Sequence, residues 1–241
     1  MEDRQRLADL GAVSAVSPSS APAPVVEAID LYRFFHAGDD ETLALRGVSL
    51  RLYQGEVVAV TGPSGSGKST LLSCLAGLDE PDGGTVRIAG EVMSRRPEGE
   101  RASLRARKVG MLFQSGNLID HLSVEQNIQF VQGLVGAVDH QRIAVLLDDV
   151  GLGDRTRSAP ATLSGGEAAR AGLAVALANQ PVVVLADEPT GELDQASADR
   201  IMDLLRRHAH GGAAVLLVTH NPHVAAFADR EISLLDGRIA P

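Results

Sequence analysis

Gly62-Pro63-Ser64-Gly65-Ser66-Gly67-Lys68-Ser69-Thr70 decides how the chain is read. It has the form G-x-x-x-x-G-K-[ST] and lies between an apolar run and a helical pattern, the setting of a phosphate-binding P-loop. Val57-Val58-Ala59-Val60 before it suits a short buried parallel strand, and Leu71, Leu72, Leu75 and Leu78 after it recur at helical spacing. Glycines let backbone N–H groups turn inward around phosphate oxygens, and the positive end of the following helix faces the same anion. Lys68 is then expected at the β- and γ-phosphates and Ser69 at a Mg²⁺ ion.

Working outward, the chain alternates strand and helix signals. Val25–Leu31 and Leu43–Leu52 read as strands separated by the turn-rich Ala37-Gly38-Asp39-Asp40. Tyr32, Phe34 and Phe35 cluster before that turn, where stacking on a nucleotide base and plain packing of a strand end both fit the spacing. Asp82-Gly83-Gly84 reads as a hairpin between short strands, with Thr85–Ala89 the second of them. The run from Arg95 to Lys108 carries six basic residues and reads as a solvated helix face. Val109–Phe113 suits a buried strand ending in Gln114, and helical patterns follow at Ser123–Val135 and His140–Val150, Ser123 with Gln126 fitting a capping box. Leu163-Ser164-Gly165-Gly166-Glu167 opens an alanine-rich helix, placing Ser164, Gly165 and Gly166 at its N-terminus as a second potential anion site. Val182–Ala186 is a continuous apolar strand running into Asp187-Glu188, two carboxylates that are costly to desolvate without a metal or partner. Gln195–His208 is helical, Ala213–Val218 is strand, and His220 stands at that strand's end.

Composition bounds the rest. A chain of 241 residues, 44% hydrophobic and 22% charged, suits one soluble α/β domain with a smaller helical part inserted. Pro18, Pro22 and Pro24 lie in a Ser/Ala/Pro segment, so residues 1–24 read as a disordered tail without the pattern of an export signal. The net charge of −9 argues against nucleic acid as a partner. No apolar run reaches the roughly 18 residues of a membrane span, so direct membrane insertion is not expected. Cys74 is the one cysteine and sits in an apolar helical pattern, which points to core packing.

The ordered set of motifs resembles the nucleotide-binding subunit of an ATP-binding cassette (ABC) transporter from about Val25 onward. Beside the P-loop stand Gln114 in the Q-loop position, Leu163–Glu167 in the signature position, Asp187-Glu188 closing Walker B, Asp194 in the D-loop position and His220 in the switch position. Ala37-Gly38-Asp39, Gly77-Leu78-Asp79 and Glu188-Pro189-Thr190-Gly191 look like the lipoprotein-release and macrolide-export branch. Glu167, where the signature usually has Gln, Ala168 and Ala169, usually larger and polar, and Glu192 beside the D-loop depart from the family pattern.

The resemblance implies a P-loop NTPase fold with a mixed sheet core, an antiparallel β part and a helical subdomain at about 115–165 within a cassette spanning 25–241. It implies two copies packed head to tail, so that ATP on Gly62–Thr70 of one subunit is closed by Ser164, Gly165 and Gly166 of the other, with Asp194 at the same seam. It assigns adenine stacking to Phe35, Mg²⁺ to Ser69, Gln114 and Asp187, and catalysis to Glu188, His220, Lys68 and Gln114. A permease on a separate chain would hold the subunit at the inner face of the cell membrane, a short helix docking near Leu118, Ile119 and Leu122. Control of an extracytoplasmic cell-wall enzyme is an alternative use of the same ATPase. A soluble cassette acting on ribosomes or DNA is disfavoured by the acidic charge and the single cassette.

Overall fold

The computed structural model describes residues 22–37 and 40–240, so the tail reading of residues 1–24 falls almost wholly outside it, as do Gly38 and Asp39 of the expected turn. Two sheets share the chain. An antiparallel sheet is built from β1 (Val26–Ala37), β2 (Asp40–Leu52), β4 (Gly83–Ile88) and β5 (Glu91–Val92) in the order β2-β1-β4-β5. The second contains β3 (Val57–Thr61), β6 (Val109–Leu112), β7 (Val183–Asp187), β8 (Ala214–Val218), β9 (Arg230–Leu235) and β10 (Arg238–Ile239) in the order β10-β9-β3-β8-β7-β6. Its strands are parallel except β10, which returns antiparallel on β9.

The apolar runs noted in the sequence become strands buried on both faces. Val58, Val60, Val183, Leu185, Leu216 and Val218 face one core, which also takes the inner side of the antiparallel sheet and α1 (Lys68–Leu75). The alternate residues Val57, Ala59, Val184, Ala186, Val215 and Leu217 face a second core. That core is completed by α3 (Val124–Gly133), α4 (His140–Asp149), α5 (Gly165–Ala176) and α6 (Gln195–His210). The period of two along each strand therefore assigns its side chains to two cores, and α1 is held between the sheets by Leu71, Leu72, Cys74 and Leu75. Cys74 is 1% exposed and burial pushes its thiol up to about 12, consistent with a packing role.

Three expectations need correction. The first two strands are longer than the alternation indicated, because β1 carries irregularities near Asp30, whose φ is +47, and then continues to Ala37. Asp82-Gly83-Gly84 is not a hairpin between strands: the segment joins α1 to β4, and β4 pairs with β1 along one edge and with β5 along the other. Gly84, at φ +89, is needed because a Cβ there would overlap the carbonyl oxygens of Ile29 and Asp30 in the β1 irregularity. The basic run is also not merely solvated. It forms α2 (Glu98–Lys108), in which Arg101 bonds Glu80 and Glu98 at 2.6 Å each and Arg105 donates to the Gly77 carbonyl at 2.9 Å. The bonds to Glu80 and Gly77 tie α2 to the loop after α1.

Gly84→Ala is expected to destabilise the protein by about 2 kcal/mol, since backbone at this crossing cannot move away as a side chain could. A thermal melt should show a midpoint lower by roughly 4 °C. An unchanged midpoint would contradict the close approach of β1 and β4.

Candidate functional site

The loop between β3 and α1 is built to receive an anion. Gly67 is the N-cap of α1, with φ +102 and no side-chain cap, and the first turn holds no acidic residue, so the helix's leading N–H groups lack side-chain partners. A Cβ on Gly67 would overlap the Ala44 carbonyl, which fixes glycine at that corner. Lys68 Nζ donates to the Gly62 and Pro63 carbonyls at 2.9 Å each, folding the ammonium over the loop. Ser66 is 2% exposed and its Oγ has no hydrogen-bond partner among the described residues, an orphaned group that an incoming phosphate oxygen would satisfy. Ser64 and Gly65 are exposed at the loop's tip, and Ser69 and Thr70 occupy the first turn of α1.

Beside this loop, β7 delivers its terminal carboxylates. Asp187 lies beside Ser69; burial pushes its carboxyl above the ordinary range, the Glu188 charge adds to this, and the Ser69 hydroxyl and Lys68 oppose it. A hydroxyl with a partly desolvated carboxylate is a hard oxygen set suited to Mg²⁺. Gln114, the third expected metal residue, is not brought to them here: its Nε2 donates to Glu192 Oε1 at 3.4 Å.

Glu188 sits just past the strand at φ +46, with its N–H on the Val218 carbonyl at 2.9 Å. Its carboxylate accepts from Thr219 Oγ1 at 3.1 Å and from the His220 N–H at 3.0 Å, and His220 Nδ1 lies 2.6 Å away. The end of β8 thus holds the Glu188 carboxylate by three contacts while the His220 ring stays exposed. Gly62 and His220 line one cleft of about 350 Å³, Asp187 lies beside Ser69 and Lys68, and Glu188 holds His220, so these residues form a single locale. Thr219, fully buried, was not singled out in the sequence; a hydroxyl closing an all-apolar strand was the available signal.

Of the three aromatics, Phe35 and Tyr32 are almost equally exposed, 42% and 41%, and the Arg33 guanidinium lies over the Phe35 ring at 4.8 Å. Arg33 is held in place by Asp79 at 2.8 Å and Asp82 at 3.0 Å, partners distant from it in the sequence. The Tyr32 ring runs past Gly47 and Gly83.

The signature residues lie elsewhere. Ser164 caps α5 in a capping box with Glu167, and Ser164, Gly165, Gly166 and Asp194 line a cleft of about 400 Å³ that includes no P-loop residue. Asp194 caps α6, its carboxyl held below the ordinary range by the Ser197 hydroxyl and N–H at 2.7 and 3.0 Å. A further cleft of about 250 Å³ beside Gln114 is lined by Leu118, Ala168, Ala169 and Glu192. Leu118 also packs on the second core, while Ile119 and Leu122 are half-buried. Among the described residues no helix is long and apolar enough to cross a membrane.

The ABC transporter family model matches residues 45–191. Macrolide export ATP-binding/permease proteins MacB of Shigella flexneri and Escherichia coli K12 are each 43% identical over 219 residues, 90% of this chain. The chain spans only 34% of the length of these relatives. Among solved structures, the dimeric post-hydrolysis ATP-binding cassette MJ0796 bound to ADP and Pi superposes with a TM-score of 0.83 at 34% identity, covering 90% of this chain and 97% of that one. CbiO1 of Clostridium perfringens, part of an ABC transporter complex, gives 0.78 at 26% identity, covering 90% and 87%.

Proposed function

Since the chain belongs to the ABC transporter family and is an ATP-hydrolysing cassette, we propose that two copies close head to tail around two ATP and drive a membrane permease in the direction of export. The observation that carries this reading is a division within one chain. Gly62, Lys68, Asp187, Glu188 and His220 are gathered at one locale, whereas Ser164 and Gly166 open on another cleft. One copy holds half of what γ-phosphate transfer to water needs, and a second copy supplies the rest. The dimeric form of the MJ0796 neighbour and the export names of the relatives support the same reading.

In the proposed site, Lys68 and the N–H groups opening α1 bind the phosphates, with Ser66 Oγ taking one of their oxygens. Mg²⁺, when bound, neutralises charge developing on those phosphates. Ser69 and Asp187 would hold it, and Gln114 would join them on leaving Glu192. Glu188 accepts the proton of the attacking water and orients it, a task to which its contacts with Thr219 and His220 fix it in advance. His220, its ring exposed beside Glu188, would hold the γ-phosphate. Phe35, its ring steadied by Arg33, stacks the adenine.

The cleft between Gln114 and Ala168 is the proposed seat of a permease segment, because it is open, largely apolar and next to the Q-loop residue that would sense ATP. The permease is read as a separate chain, holding this subunit at the cytoplasmic face of the membrane. In the MacB relatives, ATP-binding and permease functions carry one name and one chain.

Mixing two inactive variants tests the shared site. Lys68→Ala spoils one copy's P-loop and Ser164→Arg spoils one copy's signature, so the mixed dimer retains one site made of two intact halves. ATPase activity should appear on mixing though each variant alone is inert. No recovery, with both variants folded and mixed dimers demonstrated, would refute head-to-tail sharing.

A further inference from the structure

We infer that Glu167 is a positioning residue that restrains ATP-dependent dimer closure by holding the Ser164 hydroxyl and placing a fixed negative charge beside it. The inference deepens the composite-site reading above and rests on it.

The contacts are specific. Ser164 Oγ accepts the Glu167 N–H at 3.3 Å, as an N-cap should. In return one carboxylate oxygen, Oε2, accepts both the Ser164 N–H at 2.9 Å and the Ser164 Oγ–H at 3.0 Å. The other oxygen, Oε1, accepts Arg155 Nε–H at 3.0 Å. A serine hydroxyl has one proton, and here it is committed to a carboxylate, so it must be withdrawn before Ser164 can donate to a phosphate. The charge also offsets the positive end of α5, the feature that would attract an anion to this helix. It persists at neutral pH, since the Ser164 N–H and hydroxyl, with Arg155, hold the carboxyl down at about 2.

Other charges facing the cleft are already engaged. Arg170 donates to the Val150 carbonyl at 2.9 Å, Arg200 to Ser197 Oγ at 3.3 Å, and Asp194 caps α6. Glu192 lines the cleft and reaches Gln114 at 3.4 Å. Of the residues around the cleft, Glu167 alone bonds the Ser164 hydroxyl, and Arg155 is its one ion-pair partner among the described residues.

Glutamine at this position would keep an oxygen for the Ser164 N–H while removing the charge and the second oxygen that accepts from Arg155. Dimer affinity is measured by sedimentation with ATP and Mg²⁺ in a Glu188→Gln background that cannot turn over. Glu167→Gln should tighten the dimer about tenfold, since two sites per dimer each lose a like-charge contact. Raising ionic strength should narrow the difference. Arg155→Gln should loosen the dimer when Glu167 is present and have no effect once it is replaced, a coupling that a purely structural role for Arg155 would not produce. Equal affinity with Glu or Gln, or an Arg155→Gln effect of the same size in both backgrounds, would overturn the inference while leaving the composite site intact. Failure of every variant to dimerise with ATP would overturn the composite site, and the inference with it.

Discussion

Lys68→Ala should lower ATP turnover by at least about a hundredfold, the scale of losing one preorganised charge at a developing anion, with the melting temperature little changed. The side chain's bonds go to the carbonyls of Gly62 and Pro63, within its own loop. Packing of α1 rests instead on Leu71, Leu72, Cys74 and Leu75, all buried in the core between the sheets. Removing the ammonium therefore takes away a phosphate ligand and leaves the fold standing. Steady-state hydrolysis by the purified variant checks this, and an unchanged turnover number would remove the P-loop from the mechanism.

Glu188→Gln should reduce turnover by roughly a hundred- to ten-thousandfold while ATP binding persists. The amide oxygen of Gln can still accept from the His220 N–H while its NH2 donates to Thr219 Oγ1, so the local geometry survives. What disappears is the basicity needed to take a proton from water. Gln also tolerates the φ of +46 no worse than Glu does, and no loss of stability is expected from that source. Single-turnover hydrolysis separates the outcomes: retained chemistry would move the base away from Glu188, and lost nucleotide binding would make the residue a ligand rather than a base.

The phosphate site was legible because its chemistry is local. The P-loop needs glycines, a lysine and a hydroxyl at fixed spacing between a strand and a helix, and those constraints are written in consecutive residues. The parallel strands were legible for a related reason: burial on both faces demands unbroken apolar runs such as Val182–Ala186. Partnerships between distant residues were not. Thr219 meets Glu188 only because β8 lies beside β7, and Arg33 reaches Asp79 and Asp82 only because β1 pairs with β4. The hairpin expected at Asp82-Gly83-Gly84 failed because Gly84 serves a backbone crossing rather than a turn, and local sequence does not distinguish the two. Gln114 marks the limit of motif reading. Its position follows from the end of β6, but its amide is engaged by Glu192, a residue that departs from the family pattern.

The same difference between local and distant information explains the two clefts. Ser164 and Gly166 are recognisable as a helix-opening anion motif, yet nothing in one copy of the chain sets them against the P-loop. In the proposed head-to-tail arrangement their function depends on a surface that a second copy provides.

The most direct test of that dependence is the mass in solution of the Glu188→Gln protein, measured by light scattering with and without ATP and Mg²⁺. Head-to-tail closure around ATP predicts a dimer with nucleotide and a monomer without it, with wild type returning to monomer as ATP is consumed. A Glu188→Gln protein that binds ATP and remains a monomer would contradict the account.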